Sequence, residues 1–343
     1  MILPPSLDAA GSVLDAPLRS GAFQNWQLSL FQSFFANGEQ KEHVSNTIEF
    51  WDSVPRYSIS RQAMTRIRDL TGRLDELELT FHCNGKPFKA VIRPARIDKV
   101  DYYPSASEEL VEEALRKIAA QQSHGFHEPE QRSGVAFTLY QLREELRKRG
   151  HARSYVEIVQ SLDILSLAFI EIRGGEKMKG FERSAYLPRL SAVSRTDYDQ
   201  DASAKWYVQF HPLVCASIDK LTYRQFNYQK LMQHSTQLAR WLHRYLILKF
   251  TFASITRPFE MRYSTICRDS GMLSNYSRAR QARDACDHSV KELETQKILM
   301  RIDRKEELGA RGKVLDIVYV LHPSSSFVQE VKAANARSRK GGQ

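Results

Sequence analysis

The residues best suited to chemistry lie in one stretch, SNYSRARQARDACDHSVKELETQ, residues 274–296. Asn275, Tyr276, Ser277, Arg278 and Arg280 are hydrogen-bond donors that fit phosphate oxygens and base edges. Wound as a helix at about 100° per residue, Ala282, Ala285, Cys286, Ser289 and Leu293 fall on one side. Arg280, Arg283 and Lys291, with Tyr276 and Ser277, fall on or near the other, and Asp284 and Asp287 lie between. A solvated charged face would carry the same residue types. What favours nucleic acid is the basic ribbon that follows, with Arg301, Arg304, Lys305, Arg311 and Lys313. From residue 276 onward there are fourteen lysines and arginines against nine acids, half of the chain's +10 excess in a fifth of its length.

A second basic cluster, RKRGHARSY, sets Arg147, Lys148, Arg149, His151 and Arg153 in a turn. The helical pattern after it turns Glu157, Gln160 and Ser161 outward. This half is expected to give more phosphate contact and fewer base contacts, or to serve a protein partner.

Catalytic constellations are missing. GARGKV has the wrong spacing for a phosphate-binding loop and no Ser or Thr after its lysine. His124 and His127 in HGFH have no carboxylate cluster beside them, and HEPE (His127, Glu128, Glu130) reads as a solvated loop. No local motif favours a Ser/His/Asp arrangement. The expectation is a protein that is not an enzyme, with no catalytic residue, metal site or cofactor.

These residues need elements to hold them, and the pattern supplies one plan twice. Residues 1–45 are rich in Pro, Gly, Ser and Ala and read as a mostly disordered leader, interrupted by the apolar island NWQLSLFQSFF. Residues 46–104 contain a hairpin: Leu77, Leu79, Phe81 and Cys83 alternate, Asn84-Gly85 turns, and Phe88, Ala90 and Ile92 alternate on the return. Two strands are marginal alone, so the hairpin must pack on the next domain. Residues 105–222 read as helix, short strand, helix, turn, helix and ribbon, opening on a Ser105/Glu108 capping box. In this copy LAFIEI and RSAYLPRLSAV form the ribbon, and KWYVQF adds a strand. The order recurs over 223–335, before a basic tail at 336–343. The fold class is therefore α+β: two consecutive winged-helix domains preceded by a disordered leader and a small β-hairpin segment.

Composition limits the partners. Fifty Lys and Arg against forty Asp and Glu suit a polyanion, and no segment reads as a membrane span, an amphipathic anchor or a secretory signal. Cys83, Cys215, Cys267 and Cys286 are far apart without CxxC spacing, which fits buried thiols in a reducing cytoplasm.

In layout the chain resembles plasmid replication initiators of the tandem winged-helix TrfA/RepA type, over about residues 100–322. The segments that carry the likeness are YPSASEELVEEALRKIA, GVAFTLYQLREELRKRG, FHPLVCASI, TQLARWLHRYL and SRARQARDACDHSVKELETQKIL, by their order and spacing. The resemblance implies binding to repeated double-stranded origin sites (iterons), local DNA opening and recruitment of the host replicative helicase and initiator. It also implies a homodimer alongside the monomer. In that setting QLSLF matches the pentapeptide that docks on the bacterial DNA polymerase sliding clamp. Gln27 would bond at the groove edge, Leu28, Leu30 and Phe31 would fill apolar pockets, and Ser29 lies between them. The rival for this peptide is the start of a packed helix. The rival for the whole chain is a winged-helix transcriptional repressor, and from another class a nicking initiator or nuclease.

Overall fold

The computed structural model describes residues 44–120, 125–128, 132–174, 180–193, 204–219 and 223–341. The expected leader, with Gln27 to Phe31, lies outside them except for its last two residues, and so does His124.

The chain enters through strand β1 (Val44–Ile48), helix α1 (Glu49–Ser53) and helix α2 (Arg61–Thr71). Strands β2 (Leu77–Cys83) and β3 (Lys86–Arg93) then form the expected hairpin. Its turn residues Asn84 and Gly85 have φ of 51° and 72°, the paired left-handed conformation that Asn-Gly tolerates. Phe81, Cys83, Phe88, Ala90 and Ile92 are buried on its inner face. A small ribbon follows, β4 (Ala95–Ile97) with β5 (Val100–Tyr102).

The first copy starts at helix α3 (Ala106–Ala119), whose Ser105 and Glu108 form the capping box. Strands β6 (Gly125–Glu128) and β7 (Arg132–Thr138), helices α4 (Leu139–Lys148) and α5 (Tyr155–Leu167), and strands β8 (Phe169–Gly174) and β9 (Phe181–Ala185) come next. The β8–β9 ribbon is the expected wing, and β3 pairs with β8, so the early hairpin extends it into a four-stranded sheet ordered β2-β3-β8-β9. The run RSAYLPRLSAV is not one strand. It breaks at Tyr186, Leu187 and Pro188, because proline has no N–H for the ladder and the tyrosine ring turns into the core. Its second part, β10 (Arg189–Val193), joins a different sheet with β11 (Lys205–Gln209), β7 and β6.

Helix α6 (Pro212–Asp219), strand β12 (Tyr223–Asn227) and helix α7 (Tyr228–Met232) lead to the second copy. There α8 (Gln237–Lys249), β13 (Phe259–Arg262), α9 (Tyr263–Ser270), α10 (Ala279–Thr295), β14 (Leu299–Leu308) and β15 (Val314–Pro323) follow the winged-helix order. Their antiparallel sheet is ordered β13-β15-β14. Ile317, Tyr319 and Leu321 of β15 point inward against Ala282, Cys286, Val290 and Leu293 of α10. Each isoleucine, leucine and valine among them contributes about 1.5–3 kcal/mol before ordering costs. Helix α11 (Ser325–Gly341) closes the chain.

Two devices hold the copies together. β1 pairs with β12. Beside it, the first helices of the two copies meet through buried charge: Arg240 donates to Glu109 at 3.1 Å and Arg244 to Glu113 at 2.9 Å. Asp52 of α1 completes the lattice, receiving Arg116 at 3.0 and 3.1 Å and Arg56 at 3.2 Å, while Trp51 donates to Glu112 at 2.7 Å. Burial alone would raise the Asp52 carboxyl, but Arg116, Arg56 and Arg244 hold it well below the usual carboxylate range. The four cysteines are free thiols, Cys267 half-buried and the others buried.

Candidate nucleic-acid interface

Helix α10 forms where the apolar period recurs, and Gly271 sets its approach. That glycine ends α9 at φ +65°, with Ser58, Leu79 and Pro55 packed at 3.1–3.5 Å from where a Cβ would sit. The chain then turns through Leu273–Asn275 into α10. Ala282, Cys286, Ser289 and Leu293 are buried as expected, and Ala285 is half-buried.

The N-terminus of α10 is left open. Arg278 occupies the cap position without a side-chain hydrogen bond, and the first turn holds no acid. Helices α2, α4, α5, α7 and α8, by contrast, are capped by the side chains of Ser60, Thr138, Ser154, Asn227 and Thr236. The first N–H groups of α10 and the positive end of its dipole thus face solvent beside Ser277, Arg278 and Arg280, an arrangement that suits phosphate oxygens.

Tyr276, Ser277, Arg278 and Arg280 are exposed, Arg283 is half-buried, and neither Arg278 nor Arg283 forms an ion pair among the described residues. Arg280 lies 3.9 Å from Asp284 with both side chains in solvent. Asn275 is half-buried, and its amide donates to Ser58 O at 2.9 Å, so its side chain tethers the turn. Lys291, one helical turn short of the far end, pairs with Glu294. Two further exposed residues complete the outer stripe, Gln281 and His288. The i, i+3, i+7 and i+10 spacing of 281, 284, 288 and 291 was the signal that could have found them.

The wing divides by strand parity. Arg304 lies opposite Tyr319 on the α10 side, where it pairs with Asp287 at 3.0 Å and with Glu306 at 2.6 Å. Tyr319 donates to the same Asp287 at 2.5 Å, so this carboxylate ties helix to wing. Lys305 lies opposite Val318 on the other sheet face, in a groove with Arg262, Glu307 and Tyr245. Arg301 also pairs within the wing, with Asp303 at 2.7 Å. Lys313 is exposed at the tip, and Arg311 belongs to the same turn.

The first copy differs. Arg147 pairs with Glu144 at 2.7 Å, and Lys148 is exposed. Arg149 is withdrawn from the surface, pairing with Glu145 at 3.0 Å and lying over the Tyr228 ring. Arg153 donates to Ala152 O at 2.9 Å, and the His151 ring bonds Met232 O at 2.7 Å. On α5 Glu157 is exposed and Gln160 half-buried, but Ser161 is not outward. It is 2% exposed and donates to Glu108 at 2.9 Å, because the helix must satisfy that buried carboxylate.

The described residues thus form two winged helices in an α+β chain, and one of the two third helices has a cationic, uncapped N-terminal end. No family model and no curated protein matches the sequence. Among solved structures, the chain is similar to domains 2 and 3 of RctB at 14% identity, over 73% of this chain and 92% of that one, with a TM-score of 0.48. A second structure of those domains aligns at 13% identity over 76% and 95%, TM-score 0.45. The Pi initiator protein in complex with iteron DNA aligns at 8% identity over 83% and 99%, TM-score 0.35. No helix among the described residues is long and apolar enough to cross a membrane, and no three His, Cys, Asp or Glu side chains among them form a metal-binding group.

Proposed function

We propose that this protein is a plasmid replication initiator that binds repeated sites in double-stranded origin DNA. Its second winged helix reads the sequence, and it promotes local opening and recruits host replication proteins. One observation supports the DNA-reading half most directly: α10 presents Tyr276, Ser277, Arg278, Arg280 and Arg283 around an uncapped helix N-terminus. The N-terminal residues of such a helix are those that meet base edges in the major groove. The initiator half rests on the order and spacing of the segments resembling that family, and on QLSLF. In this reading Gln27 to Phe31 engage the sliding clamp, and the protein carries out no catalytic step of its own.

Footprinting on DNA flanking the gene tests the reading. Protection of several evenly spaced direct repeats is the expected result. A single protected promoter palindrome would instead make the protein a transcriptional repressor, a role the same winged helices could serve.

A further inference from the structure

The segment before the first winged helix is joined to the DNA-reading end of the second. Asn275 donates from its side chain to Ser58 O at 2.9 Å, and its carbonyl accepts from Arg66 of α2 at 3.5 Å. Gly271 packs on Pro55, Ser58 and Leu79, and Asp269 accepts from the His82 N–H at 3.2 Å. Gln237 of α8 donates to Tyr57 O at 2.8 Å. These contacts seat α2 against the turn that opens α10.

The outward face of α2 carries Gln62, Thr65, Arg66 and Asp69 with one exposed leucine, Leu70, and its cations are used unequally. Arg61 pairs with Glu108 at 2.7 Å, and Arg68 donates to Asp101 O at 2.7 Å and lies over the Tyr102 ring. Both are spent on the fold. Arg66 is exposed, forms no ion pair among the described residues, and has Gln62 one turn before it on the same face. Its hydrogen bond to the carbonyl of Asn275, the one it makes among the described residues, puts the guanidinium one residue from Tyr276 and three from Arg278.

Resting on the reading of α10 as the DNA-contacting helix, we infer that α2 is a further DNA-contacting element. In this arrangement Arg66, with Gln62 beside it, binds a backbone phosphate of the same duplex next to the groove that α10 enters. A duplex carries phosphates along both walls of the groove, and an arginine at the groove edge adds affinity and register without reading sequence. The partner is therefore the sugar–phosphate backbone, and the expected signature is a salt-dependent contribution equal on all sequences.

The test measures affinity for a random-sequence 24-base-pair duplex at several salt concentrations, using the full chain. Arg66→Gln keeps a donor for Asn275 O but removes the charge, and should lower the log–log salt slope by about 0.9. Arg66→Lys keeps the charge and should retain the wild-type slope. Arg280→Ala is the control for the α10 reading. A lowered slope in R280A with an unchanged one in R66Q would place α2 off the DNA and leave the α10 reading intact. Unchanged slopes in both would sink the α10 reading itself. Equal weakening by R66Q and R66K, with a drop in melting temperature, would reduce Arg66 to a support for Asn275 and overturn the inference.

Discussion

The third helices of the two winged helices share a position in the plan but not a surface. α5 has no lysine or arginine in its thirteen residues, and Val156, Glu157, Gln160 and Asp163 lie toward solvent. Its N-terminus is closed by the Ser154–Glu157 box, which places a carboxylate where an anion would otherwise bind. α10 carries Arg280, Arg283 and Lys291 and leaves its N-terminus open. The same backbone scaffold therefore offers a polyanion two unequal faces. The difference lies in capping and charge, since both helices bury an apolar stripe in the same way. α5 is left with an exposed valine beside acids, a surface better matched to protein than to phosphate.

This asymmetry has meaning only if the two copies act as one body. The largest expected effect tests that. Arg244→Ala would leave Glu113 to Arg116 and Glu109 to Arg240, and weaken the surroundings of Asp52 in the buried lattice. Removing one member of such a buried pair costs about 3–5 kcal/mol. Urea unfolding should show that loss. A change below about 1 kcal/mol would indicate copies that are already separate and solvated at this seam.

Acidification should act on the second copy next. His234 and His243 are buried side by side, with Nε2 and Nδ1 3.1 Å apart. Burial pushes His234 down to about 4 despite Glu292, and burial with the neighbouring His234 pushes His243 well below its ordinary value. The unfolded chain takes up protons near pH 6.5 while the folded one does not, so the stabilisation is intact above that pH and declines as pH falls toward 4. At pH 5 His234 alone should account for about 2 kcal/mol. His211, stacked on Trp51 at 4.2 Å and pushed down to about 3 by burial, should add to the same trend. Urea midpoints from pH 8 to 5 measure the effect, and a flat profile would refute it.

The contrast in the proposed DNA contacts comes third. Arg280→Ala and Arg283→Ala should each weaken specific binding by about 1–3 kcal/mol if they reach base edges. Lys305→Ala should cost less, because β-strand parity turns that side chain away from α10. Titration against the footprinted site decides the order. Lys305→Ala matching Arg280→Ala would mean that the far sheet face also meets DNA.

Much of this was legible in the sequence, and the failures share a cause. The 3.6-residue period gave α10 its buried side, and Asn84-Gly85 gave the hairpin its turn. Pairing partners were hidden, because alternation tells which face of a strand is buried but not which strand lies beside it. β3 joining β8, and β1 crossing to β12, are long-range pairings of that kind. Ser161 was misread as outward and Arg149 was read for phosphate contact, since their inward turn depends on Glu108, Glu145 and Tyr228. The place of α2 beside Asn275 was hidden for the same reason, since it depends on contacts more than two hundred residues apart.

The smallest expected effect is the sharpest test of the asymmetry, because it asks for no change where symmetry would demand one. Val156 is 79% exposed on the second residue of α5, the position where a groove-reading helix would present a side chain to DNA. Replacing it by lysine adds a flexible cation to a solvent-facing site and disturbs no buried contact, so stability should move by no more than about 0.5 kcal/mol. If α5 entered a groove, the role proposed for α10, the new charge would find a phosphate, and the salt slope would steepen by about 0.9. If α5 faces a protein partner, Val156→Lys should leave the affinity for the footprinted duplex and its slope unchanged. Ala279→Lys, at the first residue of α10, supplies the positive control, since a cation there should steepen the slope. Equal steepening by V156K and A279K would erase the division of roles between the copies and make both helices readers of DNA.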